Sequence, residues 1–145
     1  KLSVAVEQSP VGVVITDPEA VIEYANPTLL RDYGYRLEEV LGQTPRLFRA
    51  EREADAFYHT LWTTIRSGTL WQGEFHNKRK DGSPLWSAAT IAPVKDADGR
   101  ITHFLCLSED IGARKAAERD AIDSRRRLAD PSRRPPELRR GPPPA

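Results

Sequence analysis

The residues from Trp71 to Pro93, WQGEFHNKRKDGSPLWSAATIAP, constrain this chain more than any other stretch. Two segments of strand character flank Lys80-Asp81-Gly82-Ser83. Asp-Gly between such segments is a strong hairpin signal, because a type I′ turn needs positive φ at both central residues. Alternation with period two then sorts the side chains. Trp71, Gly73, Phe75 and Asn77 share one face of the first arm, and Gln72, Glu74, His76 and Lys78 the other. On the second arm one face carries Leu85, Ser87, Ala89 and Ile91, while Trp86 turns to the outer side. A concave face with small residues, an aromatic ring and one Asn can hold a flat ligand, since an amide both donates to and accepts from a heterocycle edge.

The 145 residues suffice for one domain with appendages, and 39% hydrophobic content suffices for one core. No apolar run approaches the length of a membrane span, so no membrane insertion is expected. Beginning at Lys1 without a leader pattern, the chain reads as a piece of a longer protein. Cys106 is the single cysteine, which excludes an internal disulfide and a cysteine-cluster metal site and fits a cytoplasmic setting. Residues 1–111 carry 12 basic against 16 acidic side chains, and residues 112–145 carry 10 against 5. The basic tail lacks interleaved aromatics, so it reads as a solvated linker and no nucleic-acid partner is expected.

In chain order, residues 2–8 form a short amphipathic helix that ends at Ser9-Pro10. Residues 11–16 and 21–25 form a strand pair across the turn Asp17-Pro18-Glu19-Ala20. Asn26-Pro27 opens a helix, with Asn capping the free amides and Pro in the first turn. It runs to about Tyr33 and stops at Gly34. A short helical turn spans residues 37–41, and Thr44 to Phe48 is a connector. Residues 53–67 form the best helix, with Ala54, Phe57, Leu61, Trp62 and Ile65 at helical spacing. After the central hairpin, Asp98-Gly99 makes a second turn into the last strand, residues 101–108, where Phe104, Cys106 and Ser108 share a face opposite His103 and Leu105. The expected class is α+β: a five-stranded antiparallel sheet with helices packed over one face, flanked by N-terminal and C-terminal helices.

The motifs Tyr24-Ala25-Asn26-Pro27, Gly34-Tyr35, Val40-Leu41-Gly42, Arg79-Lys80-Asp81-Gly82-Ser83 and Ile91-Ala92-Pro93-Val94 fall in an order and spacing that resemble a PAS domain. The junction from Asp110 to Glu118 resembles that family's exit into a signalling helix, with Gly112 in the usual Ser or Thr cap position. The resemblance covers residues 3–118. It implies a cap helix over 1–9, a PAS sensory domain over 10–111 and a coiled-coil-like signalling helix over 112–129. Residues 130–145, dominated by Pro and Arg, read as a disordered tail.

Within the family, Tyr58-His59-Thr60-Leu61-Trp62 and Trp71-Gln72-Gly73-Glu74 resemble the FAD-binding redox sensors of the NifL type. That resemblance implies FAD, with FMN or no ligand as alternatives. Asn77 would then bond the pyrimidine edge of an isoalloxazine, Trp62 would pack beside it, and Ser108 would lie near its redox-active nitrogen. Phe75, Ala89 and Cys106 would be apolar walls. The light-sensing LOV branch uses an Asn-Cys-Arg motif, which here reads Thr44-Pro45-Arg46, so Pro45 stands where the photoadduct thiol would be. Ser87 stands in place of that branch's second asparagine and Ser108 in place of its glutamine. Arg46 matches the position that meets a flavin phosphate, for which a guanidinium fork is suited. On reduction a ring nitrogen changes from acceptor to donor, and the Ser108 hydroxyl can serve as either partner.

Other readings accompany these. Trp62 also fits a purely structural role on its helix. His59 sits where haem-binding relatives carry their ligand, which makes haem a further alternative. No phosphate-binding glycine loop or nucleophile–base motif is present, and no histidine follows residue 112 to accept a phosphoryl group, so no enzymatic activity is expected of this segment. The expected role is a sensor linked covalently to an output domain. Leu2, Ala5 and Val6 on one side of the first helix, with apolar groups on the outer sheet face, point to a homodimer.

Overall fold

A computed structural model describes residues 2–50 and 54–129, with the side chains of Leu2 and Ser3 left out. The expected tail at 130–145 and the expected helix start at Glu53 lie outside those residues. The chain divides into two units, residues 1–111 and 112–145.

The first unit holds a five-stranded, wholly antiparallel sheet. Its strands are β1 Gly12–Thr16, β2 Ile22–Ala25, β3 Trp71–Lys78, β4 Pro84–Lys95 and β5 Ile101–Asp110, in the spatial order β2-β1-β5-β4-β3. The last strand thus lies in the middle, and it runs two residues beyond its expected end at Ser108. The helices are α1 Leu2–Glu7, α2 Pro27–Tyr33, α3 Leu37–Val40 and α4 Asp55–Arg66. The expected connector at Thr44–Phe48 closes into a 3₁₀ turn over Pro45–Phe48. The α+β class and the PAS-type sheet match expectation.

The core forms two clusters on one sheet face. Leu29 and Tyr33 of α2, Val40 of α3 and Phe48 pack with Val14, Ile22, Ala25 and Leu85. Leu61 and Ile65 of α4 pack with Phe104, flanked by Phe57, Trp62, Trp71, Phe75, Ile91 and Ile101. Helices therefore cover the face that alternation marked as apolar.

One side chain ties the N-terminal half together. Asn26 is fully buried, at 0% exposure. Its Oδ1 accepts from the backbone N–H groups of Val13 at 2.8 Å and Leu29 at 3.0 Å. Its Nδ2 donates to the carbonyls of Val6 at 2.8 Å and Val11 at 2.9 Å. The cap foreseen for α2 is thus also the joint between α1, β1 and α2.

The central turn differs from expectation. Of its residues only Gly82 has positive φ, at +86°. Gly82 N–H donates to the Arg79 carbonyl and Arg79 N–H to the Ser83 carbonyl, each at 2.9 Å. This is the three-residue pattern, a right-handed turn followed by one left-handed residue, and not type I′. The Asp81 carboxylate explains the choice, because it accepts from Ser83 N–H at 2.9 Å and Ser83 Oγ at 2.6 Å. Asp96–Arg100 repeats the pattern with Gly99 at +82°, and Asp17–Val21 repeats it with Ala20 at +70°. In both, the leading Asp accepts from backbone N–H groups two and four residues on.

The second unit shows one helix among its described residues, α5 Gly112–Ala129, with no buried residue.

Two stability predictions follow from this packing. Asn26→Ala removes the side-chain partner of four backbone groups, two of them in buried bonds and two in part-buried ones, and is expected to cost at least about 3 kcal/mol in urea unfolding. Gly12→Ala is expected to cost about 1–3 kcal/mol by overpacking, because a Cβ there would sit 3.1 Å from the Ser108 carbonyl oxygen and 3.1 Å from Leu29 Cδ2. A midpoint unchanged from the parent would refute either expectation.

Candidate functional site

The sheet register builds a floor from small residues. Gly73 lies opposite Ala89, Ala89 opposite Ser108, and Ser108 opposite Gly12. At the two ends of this row the space is taken. A Cβ at Gly73 would lie 2.6 Å from the Trp71 indole, and one at Gly12 would press on Leu29. Between them Ala89 and Ser108 leave the face open, and a cavity of about 700 Å³ stands there. That volume lies in the ordinary range for small-molecule sites.

Beside the floor runs an apolar row, with Ile91 opposite Cys106 and Cys106 opposite Val14. The opposite wall comes from α2, the Thr44–Arg49 segment and α4, with Tyr33, Phe48, Tyr58, Leu61, Trp62 and Ile65 facing the space. Trp62 also meets Phe104 edge-on at 6.0 Å, so it serves core and cavity together. Charged groups at the rim are Glu19, Arg46, Arg49, Asp55 and Arg66, together with His59. The Arg49 guanidinium lies 3.8 Å from the Tyr58 ring centre and 3.3 Å from Asp55, and the Arg66 guanidinium lies 4.7 Å from the Trp62 ring centre.

One end of the cavity is polar. Asn77 Nδ2 donates to the Tyr33 hydroxyl at 2.8 Å, and the Ser87 and Ser108 hydroxyls are 2.6 Å apart. All four residues are buried. Burial pushes the Tyr33 phenol up to about 12, against hydrogen bonding from Asn77, Ser108 and Ser87. Burial likewise pushes the Cys106 thiol up to about 12, so it stays protonated at neutral pH and acts as apolar wall.

The nine residues expected to meet a ligand all line this cavity: Thr44, Arg46, Trp62, Phe75, Asn77, Ser87, Ala89, Cys106 and Ser108. His59 lines it as well, on the exposed side of α4. His76 and His103 lie elsewhere. His76 is buried against Trp86, ring centres 4.5 Å apart, and His103 Nε2 lies 3.3 Å from Glu23. Among the described residues, no group of three or more His, Cys, Asp or Glu could hold a metal ion, and no helix is long and apolar enough to cross a membrane.

Sequence reading missed Tyr33, Tyr58 and Arg49. Tyr33 follows Leu29 by four residues on the same buried helix face, and that spacing was a usable signal. Arg49 sits in an irregular segment where no period applies. Its place beside the pocket comes from an isolated bridge that pairs it with Asn77.

Residues 10–113 match a family model described as a PAS domain. A nitrogen fixation regulatory protein of Klebsiella oxytoca is 36% identical over 106 residues, which is 73% of this chain and 21% of that protein. The chain therefore spans about a fifth of that relative's length. An RNA-binding light-oxygen-voltage receptor superposes with a TM-score of 0.75 at 30% identity, covering 82% of this chain and 34% of the other. A light-oxygen-voltage domain studied with a flavin analogue superposes with a TM-score of 0.71 at 25% identity, covering 86% of this chain and 95% of the other. The five-stranded sheet, the helices over one of its faces and these matches make this chain a member of the PAS domain family.

Proposed function

We propose that this chain is a flavin-binding sensory module, which reports redox state or oxygen to a covalently linked output domain in the cytoplasm. The observation that carries the reading is the form of the cavity, polar at one end and apolar along both walls. An isoalloxazine needs both. Its pyrimidine edge needs an acceptor for its imide N–H, and its fused rings need apolar faces. The Asn77 carbonyl oxygen supplies the first, because its amide nitrogen is engaged by Tyr33. Phe75, Ala89, Cys106 and Trp62 supply the second. Thr44 and Arg46 lie at the rim, where a ribityl phosphate would leave the cavity, and Arg49 adds a second guanidinium there.

A flavin, when bound, supplies reversible electron transfer coupled to protonation of a ring nitrogen. This chain's residues bind, orient and respond. Ser87 and Ser108 share a hydrogen bond in which either hydroxyl can donate, so the pair can present an acceptor or a donor without backbone movement. Pro45 leaves no thiol at the photoadduct position. FAD is the flavin implied by the resemblance of Tyr58–Trp62 and Trp71–Glu74 to the NifL-type redox sensors, with FMN the alternative. A haem would have to be held by His59, which lies on the exposed side of α4.

The outer sheet face supports a two-fold pair. Leu107 and Val94 are exposed there, and a shallow groove runs past Val11, Gly73, Ala88 and Thr90. On α1 Val4 and Ala5 are exposed and Val6 is half-buried.

Purified protein is expected to carry the blue-region absorbance of oxidised flavin, and mass spectrometry of the released ligand will name it. Colourless protein that takes up neither FAD nor FMN would leave a ligand-free transmission module as the better reading. Asn77→Ala is expected to weaken flavin binding by about 1–3 kcal/mol in a fluorescence titration, and equal affinity would remove Asn77 from the site. Light scattering is expected to give twice the chain mass at micromolar concentration; a monomer mass speaks against the pair.

A further inference from the structure

Tyr33 reaches the cavity from the last turn of α2 and is 2% exposed. Its hydroxyl accepts from Asn77 Nδ2, a residue 44 positions away, so the contact is tertiary and owes nothing to local turn chemistry. An amide has two unlike ends. With the nitrogen given to Tyr33, the carbonyl oxygen is the end left for the cavity. The phenol still has a proton of its own. It keeps that proton at physiological pH, since burial outweighs the opposing effect of Asn77 and of the nearby Ser108 and Ser87 hydroxyls. Those hydroxyls in turn bond each other. Asn77 with Tyr33 and Ser87 with Ser108 thus form two hydrogen-bonded pairs, drawn from β3, α2, β4 and β5, along one end of the cavity.

We propose that Tyr33 is a positioning residue: it holds the Asn77 amide so that the carbonyl oxygen faces the cavity, and so selects a ligand that carries a ring N–H at that edge. The inference rests on the flavin reading, because an isoalloxazine has such an N–H on its pyrimidine ring. The hydrogen bond sets the amide direction. Turned by half a rotation, Asn77 would set an N–H against the ligand's N–H and leave that donor unmet. The competing role for Tyr33 is packing, since its ring lies 4.4 Å from that of Phe48. A phenylalanine at 33 keeps the ring and removes only the hydroxyl, so the two roles separate.

The test uses the protein as purified, Tyr33→Phe, Asn77→Ala and the double variant. The readouts are the Asn77 side-chain amide resonances in NMR and flavin affinity by titration. Tyr33→Phe is expected to move the Asn77 amide proton upfield and to weaken flavin binding about five- to tenfold. In the Asn77→Ala background it is expected to have no further effect on affinity, because Tyr33 acts through that amide. An unmoved Asn77 resonance, an unchanged affinity, or the same loss in both backgrounds overturns the proposal. If the phenylalanine variant does not fold, 3-fluorotyrosine incorporated in the parent weakens the phenol as an acceptor and must shift the Asn77 resonance; no shift overturns the proposal equally. A parent that takes up no flavin brings down the flavin reading and the ligand half of this inference, while the Asn77 resonance still decides whether Tyr33 orients the amide.

Discussion

The N-terminal half of this domain depends on one buried amide. Asn26 meets four backbone groups that would otherwise be stranded where two helices reach the edge of a sheet. Each unmet group would cost about 1–3 kcal/mol, so the set rivals the net stability of a domain this size. No other side chain serves there. An Asp would offer oxygens to the Val6 and Val11 carbonyls, which need a donor. A Ser or Thr caps the helix but reaches no second element. The amide thus sets where α2 begins, and with it where Leu29 and Tyr33 enter the core.

What could be read in the sequence follows from this division between local and distant interactions. Faces of β3, β4 and β5 were legible because a two-residue period needs no knowledge of neighbours, and every cavity residue named on those strands faces the cavity. The turn at Asp81-Gly82 was legible as a turn but not in its type. There a carboxylate competes for the backbone N–H of Ser83 and keeps Asp81 right-handed. At Asp17–Val21 a leading carboxylate, accepting from the Glu19 and Val21 N–H groups, accompanies even Ala20 at positive φ, where L-residues pay about 1–2 kcal/mol. Tyr33 was read as a helix terminus because its partner lies 44 residues away. Arg49 had no period to betray it.

The cavity exists because two large side chains fill the ends of the small-residue row and none fills its middle. Trp71 folds over Gly73, and Leu29 presses on Gly12. A larger residue at 89 or 108 would close the space and give an ordinary packed core. Keeping it open forgoes burial, and this is a cost that a bound ligand can offset by occupying the apolar walls.

The last residues of the first unit lie close to the polar end of that cavity. Ser87 pairs with Asp110, two residues beyond Ser108 on β5. Asp110 sits 3.5 Å from Arg79, whose guanidinium also donates to the Asp32 and Pro84 carbonyls. Ile111 N–H then donates to the Trp86 carbonyl at 2.9 Å, and the chain continues into Gly112. The ion pair is partly solvated on both sides, so it contributes about 1 kcal/mol at most. A backbone bond adds a similar amount. Each of these two contacts is comparable in size to one hydrogen bond at Ser108. A change of hydrogen-bond partner at Ser108 would therefore be of the same size as either contact two and three residues further along the chain, so neither would dominate the other.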